Sequence, residues 1–235
     1  MGDANNGNGE QVNALAFPPI QARTPALASE RRDAAEHRQH ILSAARVLFA
    51  EQGVDVVSMH QVALAAGVGQ GTLYRRYAHK GMLCMALLEE SISSFQQEML
   101  SYLEHIGELV AALDRLKYVL VHLLAFNEHN APLLAAITDS ACGQRRTQPY
   151  HSPFYLWLRQ VVMLLLQQAV TRAEIPSLDI EYAADVVLTP LAIDLYLYQR
   201  YELGFTQERI AEGLQRFLLH GLYAEHSGRR YDNEF

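Results

Sequence analysis

Apolar side chains recur at spacings of three and four residues along most of this chain, and that spacing lines them up on one face of an α-helix. Ile41, Ala44, Ala45, Leu48 and Phe49 make the first such face, and Gly53 stands where a glycine in a left-handed conformation ends a helix. Ser58 followed three residues later by Gln61 is a capping-box signature, so Met59 to Ala66 is expected as a short helix buried through Met59, Val62, Ala63 and Ala66. Gly67-Val68-Gly69 breaks it. A second short helix then runs from about Gln70 to Tyr77, with Leu73 and Tyr77 inward and Gln70, Thr72, Tyr74, Arg75 and Arg76 outward.

Beyond Gly81 the same period predicts helices at about 81–106, 110–127, 130–141, 153–173, 178–203 and 206–224, with breaks at Pro132, the Gly143–Pro149 loop, Pro176 and Gly204. No segment sustains the two-residue alternation of a strand. An all-α fold follows, with an N-terminal three-helix helix-turn-helix domain and a larger helical domain behind it. The expected division is a flexible Asn/Gly- and Pro-containing arm over 1–35, the helix-turn-helix over 36–80, the larger domain over 81–226 and a short tail over 227–235.

Charge changes this picture in one respect. The net charge of −7 opposes nucleic-acid binding, because phosphate neutralisation dominates affinity for DNA. The distribution reverses the objection: from His37 to Leu88 five basic residues (Arg38, Arg46, Arg75, Arg76, Lys80) stand against two acidic ones, whereas from Glu89 onward 11 basic residues face 19 acidic. A local basic face is enough for docking. The two cysteines, Cys84 and Cys142, have neither disulfide-framework nor zinc spacing. No signal peptide or membrane span is evident, so a soluble cytoplasmic protein is expected.

The run Ile41 to Gly53, then Ser58 to Ala66, then Ala66-Gly67-Val68-Gly69-Gln70-Gly71-Thr72-Leu73-Tyr74 and Lys80, closely resembles the DNA-binding domain of the TetR family of bacterial regulators. The resemblance implies phosphate contacts for Ser58, Tyr74, Arg76 and Lys80, and base or adjacent backbone contacts for Gln70, Thr72 and Arg75. Gly71 has no side chain to hold the helix away from a phosphate. Two departures stand out. Gly69 replaces the Ser or Thr cap common in the family, and Arg76 adds a charge where His or Tyr is commoner, which should steepen salt dependence. Tyr77, standing for a family Phe, reads as core, and Arg23, Arg31 and Arg32 read more simply as a solvated tail than as a minor-groove arm.

The resemblance also implies a small organic effector held between the middle helices. Aromatic and polar residues gather there, including Phe95, Met99, Phe154 and Tyr182, and Tyr102, His122, Phe126 and Trp157 are singled out as its contacts, although each taken alone reads more simply as core. His122 and His129 are seven residues apart with no carboxylate at ligand spacing, so neither metal nor cofactor is expected. The apolar helices near 178–203, kinked at Pro190, and 206–224, capped by Thr206 with Ile210, Leu214, Phe217, Leu218 and Leu222 on one stripe, suggest a four-helix homodimer interface. A symmetric dimer would bind a palindromic operator on double-stranded DNA, with no membrane involved. The expected function is transcriptional repression relieved by the effector. Activation and chromosome organisation stay open, and no GxSxG, P-loop, HExxH or paired-Cys motif supports an enzyme.

Overall fold

A computed structural model describes residues 30–140 and 148–217, and every described element is helical or a turn. The first three helices are α1 (Glu30–Gln52), α2 (Met59–Ala65) and α3 (Gln70–Arg76). They enclose a small core of Ile41, Leu42, Ala45, Val57, Met59, Val62, Ala63, Leu73 and Tyr77. Leu83 and Leu87 complete that core from the next helix, α4 (Lys80–Ile106). The backbone of α1 already begins at Glu30, inside the expected arm, so Arg31 and Arg32 lie on it. Arg23 falls outside the described residues.

The second core lies among α4, α5 (Ala112–Ser140) and α6 (Pro153–Thr171), with α7 (Ile180–Leu188), α8 (Ile193–Leu197) and α9 (Gln207–Gln215) closing it. Leu88, Phe95, Met99 and Leu103 carry α4 into this core, so one 27-residue helix belongs to both bodies. Where α4 meets α5, Val54, Cys84 and Ala136 make a third, small cluster between the two. Burial there pushes the Cys84 thiol up to about 11, and Lys80 only partly offsets it.

Two expectations about helix boundaries fail. Pro132 does not divide 110–127 from 130–141; α5 runs unbroken through it. Proline removes the hydrogen bond to the carbonyl of Glu128, yet Ala131 and Ala136 on either side are buried, and that packing holds the helix together across the gap. Pro190 does the opposite and interrupts its segment outright. A 3₁₀ turn at Thr189–Leu191 is followed by Ala192 at ψ 134, and the chain resumes as α8 and a π-helical turn, Tyr198–Glu202.

The outer face of this broken segment exposes Tyr182, Val186, Leu195, Tyr198 and Tyr201, while Val187, Leu188, Leu191 and Tyr196 are buried. Thr206 caps α9 by accepting the Arg209 backbone N–H at 3.1 Å. Ile210 and Leu214 turn into the protein's own core and only Phe217 of the expected stripe stands exposed; Leu218 and Leu222 lie outside the described residues.

Candidate nucleic-acid interface

The geometry begins at Ser58. Its Oγ accepts the Gln61 backbone N–H at 3.3 Å, and the Gln61 side chain accepts the Ser58 backbone N–H at 2.8 Å, so both orphan donors at the start of α2 are satisfied reciprocally. At the other end Gly67 takes φ +65, a left-handed conformation that glycine adopts without strain, and Val68 N–H returns to Ala63 O at 3.0 Å. Gly69 then starts α3 with no side-chain cap. Its carbonyl accepts from Thr72 and Leu73.

Leu73 at 0 % exposure and Tyr77 at 6 % fix the rotation of α3 about its axis. The rest follows from that rotation: Gln70, Gly71, Tyr74 and Arg75 are exposed, and Thr72 and Arg76 are half-buried on the flanks. A Cβ added at Gly71 would meet nothing within 4 Å, so the space in front of this turn is open. Ser58 is exposed at the neighbouring start of α2. Lys80 is differently engaged. Its ammonium donates to the carbonyls of Val54 at 2.8 Å and Asp55 at 3.0 Å, tying the loop after α1 to the first turn of α4.

Ion pairs that sequence reasoning passed over alter the electrostatics. Arg38 pairs with Glu89 at 2.9 Å, and Arg46 pairs with Glu90. The basic excess counted up to Leu88 therefore stops one residue short of the acids that neutralise two of its members. A helix register could have revealed this, since α1 and α4 share a core. The positive charge left on the outer face is carried by Arg75, Arg76 and the partly engaged Lys80. On α2, His60 Nδ1 lies in hydrogen-bonding contact with Gln70 Nε2.

The four residues singled out for an effector fall into two aromatic groups, one among α4, α5 and α6 and one between α4 and α5. Phe126 and Trp157 pack with Phe95, at ring-centroid distances of 5.3 and 6.3 Å, and with Phe154. Tyr102 and His122 instead sandwich Tyr118, at 3.4 and 3.8 Å. His122 Nδ1 lies 2.8 Å from the Tyr118 carbonyl, and its Nε2 faces Glu98 at 3.9 Å. Burial, then Glu98 and Tyr102, raise the Tyr118 phenol above its usual range. Among the described residues no three His, Cys, Asp or Glu side chains come together as a metal site, and no helix is long and apolar enough to cross a membrane.

Residues 41–87 match the family model for bacterial regulatory proteins of the tetR family. A helix-turn-helix-type transcriptional regulator of Staphylococcus aureus (strain bovine RF122 / ET3-1), SAB2452, is 33% identical over 125 residues; the alignment spans 53% of this chain and 64% of that protein's length. Among solved structures, Thermus thermophilus FadR, a TetR-family transcriptional repressor in complex with lauroyl-CoA, superposes with a TM-score of 0.62 at 17% identity, over 83% of this chain and 100% of that one. NalD, the secondary repressor of the MexAB-OprM multidrug efflux pump in Pseudomonas aeruginosa, superposes at 0.53 with 20% identity, covering 82% and 100%. At these identities the structural matches establish a shared fold.

Proposed function

We propose that this chain, whose residues 41–87 match the family model for bacterial regulatory proteins of the tetR family, is a cytoplasmic DNA-binding transcription regulator, a repressor released from its operator by a small organic effector. The observation that carries this reading is the outward set on α3. Leu73 and Tyr77 are buried in the core, which leaves Gln70, Tyr74 and Arg75 exposed with Thr72 half-buried beside them, and this is the set that would meet a DNA groove. Ser58, Tyr74, Arg76 and Lys80 position the domain on phosphates, Gly71 allows close approach, and Gln70, Thr72 and Arg75 read bases. Gln70 suits adenine, Arg75 suits guanine, and the Thr72 methyl suits the methyl of thymine.

Two copies bind a palindromic operator. The face of Tyr182, Val186, Leu195, Tyr198 and Tyr201 supports dimerisation over 178–203, with the segment 206–224 beside it. The division at residues 36–80 and 81–226 is then one of reading head and effector body. The resemblance to a repressor crystallised with lauroyl-CoA favours an effector with a large apolar part, held by Phe126 and Trp157, with Tyr102 and His122 at its polar end. The effector favours a state in which α4 is displaced and the two reading heads are no longer spaced for successive major grooves. Coupling of about 1–3 kcal/mol is the usual scale of such linkage.

Fluorescence anisotropy with a duplex from the protein's own promoter region tests the reading. The parent binds as a dimer, and Thr72→Ala combined with Arg75→Ala weakens it by at least about 30-fold, on the scale of 1–3 kcal/mol per base contact. Equal binding by the double variant overturns the assignment of α3.

A further inference from the structure

We infer that His60, on α2, is a specificity-positioning residue: it holds the Gln70 side-chain amide in an orientation that presents an adenine-reading edge to DNA. The inference rests on the base-reading role proposed for Gln70.

Gln70 opens α3 and is exposed, and its Nε2 lies in hydrogen-bonding contact with His60 Nδ1. An amide nitrogen has only hydrogens to give, so in this arrangement the imidazole Nδ1 accepts and a ring proton sits on Nε2. Turning the amide by half a rotation would set the Oε1 lone pairs against the Nδ1 lone pair. With the ring proton on Nε2, the contact therefore favours one of two amide orientations that differ little in shape and are opposite in hydrogen-bonding sense.

What remains free on Gln70 is one N–H and the whole of Oε1. A donor and an acceptor side by side is the pattern that pairs with adenine N7 and N6 in the major groove. The neighbouring groups leave this pairing undisturbed. Ser58 and Gln61 are occupied with one another in the capping box, and Gly69 has no side chain to compete for Gln70. Without His60 a glutamine on an exposed helix would sample several rotamers and both amide faces, and would have to be ordered at the moment of binding.

Selection of random-sequence duplexes by the full-length protein tests the inference, comparing the parent with Gln70→Ala, His60→Ala and His60→Asn, all checked for unchanged thermal melting. Gln70→Ala identifies the base pair that Gln70 reads by losing preference there. His60→Ala should relax preference at that same pair by about fivefold or more, with the pairs read through Thr72 and Arg75 unaffected. His60→Asn, which puts an amide oxygen near the place of Nδ1, should restore it. If His60→Ala keeps the preference within about twofold, or loses it equally at every position, the positioning role is wrong. If the parent enriches no duplex, the DNA-reading function itself fails and this inference fails with it.

Discussion

Gly81, in the first turn of α4, stands so close to the last residue of α5 that a methyl group on it would lie 2.5 Å from the Cβ of Ser140. The Ala136 carbonyl would be 3.2 Å from the same methyl, and the Ser140 hydroxyl donates to that carbonyl at 2.7 Å. Gly81→Ala should favour helix by about 1 kcal/mol on propensity alone. Overpacking typically costs about 1–3 kcal/mol and is expected to win, lowering stability in urea denaturation. In a Ser140→Gly background the 2.5 Å clash is relieved and only the Ala136 carbonyl contact remains, so the same substitution should cost much less. Loss of stability of equal size in both backgrounds would show that the close approach is not its cause.

Acid should weaken the tie between α5 and the π-helical turn. Arg200 donates to Glu128 from Nε at 2.8 Å and Tyr196 donates from its hydroxyl, which together hold the Glu128 carboxyl down at about 2. A depressed folded-state value means stability that is present above the unfolded value near 4.5 and is lost as pH falls towards 2. Glu128→Gln should therefore cost about 1–2 kcal/mol at pH 7, the scale of a partly exposed charged hydrogen bond, and the parent's advantage should shrink steadily between those two pH values. An undiminished difference at pH 2.5 in thermal melts would contradict the assignment.

Salt titration of operator binding separates positive charges that are free from those already neutralised. Arg76→Ala should reduce the slope of log affinity against log salt by about 1. Arg38→Ala and Arg46→Ala should leave it nearly unchanged, because Glu89 and Glu90 occupy those guanidinium groups. Three equal slopes would mean that the ion pairs open on binding.

Gly69→Ser restores a cap that α3 lacks. A Cβ there would meet only Thr72 Oγ1, at 4.0 Å, so the hydroxyl has room to accept a backbone N–H. The expected gain is a few tenths of a kcal/mol, read as a small rise in melting temperature. A fall would mean that the extended conformation at Gly69 is not kept.

Cys84 should resist thiol reagents in the native protein, being fully buried with its thiol pushed to about 11. In a Cys142→Ser background its labelling rate therefore reports opening of the junction between the two cores. Labelling as fast as in urea would place Cys84 at the surface.

The first domain was legible because its local chemistry is written in adjacent residues. Ser58 with Gln61, Gly67 at a positive φ and the burial of Leu73 and Tyr77 are all consequences of short-range spacing. What escaped depends on partners far along the chain. Lys80 reaches back to Val54 and Asp55, and Glu90 meets Arg46 across 44 residues. The prolines illustrate the same limit: Pro132 and Pro190 carry one local instruction, and the packing around each decides whether the helix survives. Only the docked registers of α4, α5 and α6 could have separated Tyr102 and His122 from Phe126 and Trp157.

That α4 supplies side chains to both cores has a consequence for dissecting the molecule. A fragment trimmed at Lys80 would lack Leu83 and Leu87, and two absent leucines forfeit about 3–6 kcal/mol, much of what keeps so small a body folded. The smallest autonomous reading head must therefore retain two turns of the helix that nominally belongs to its neighbour.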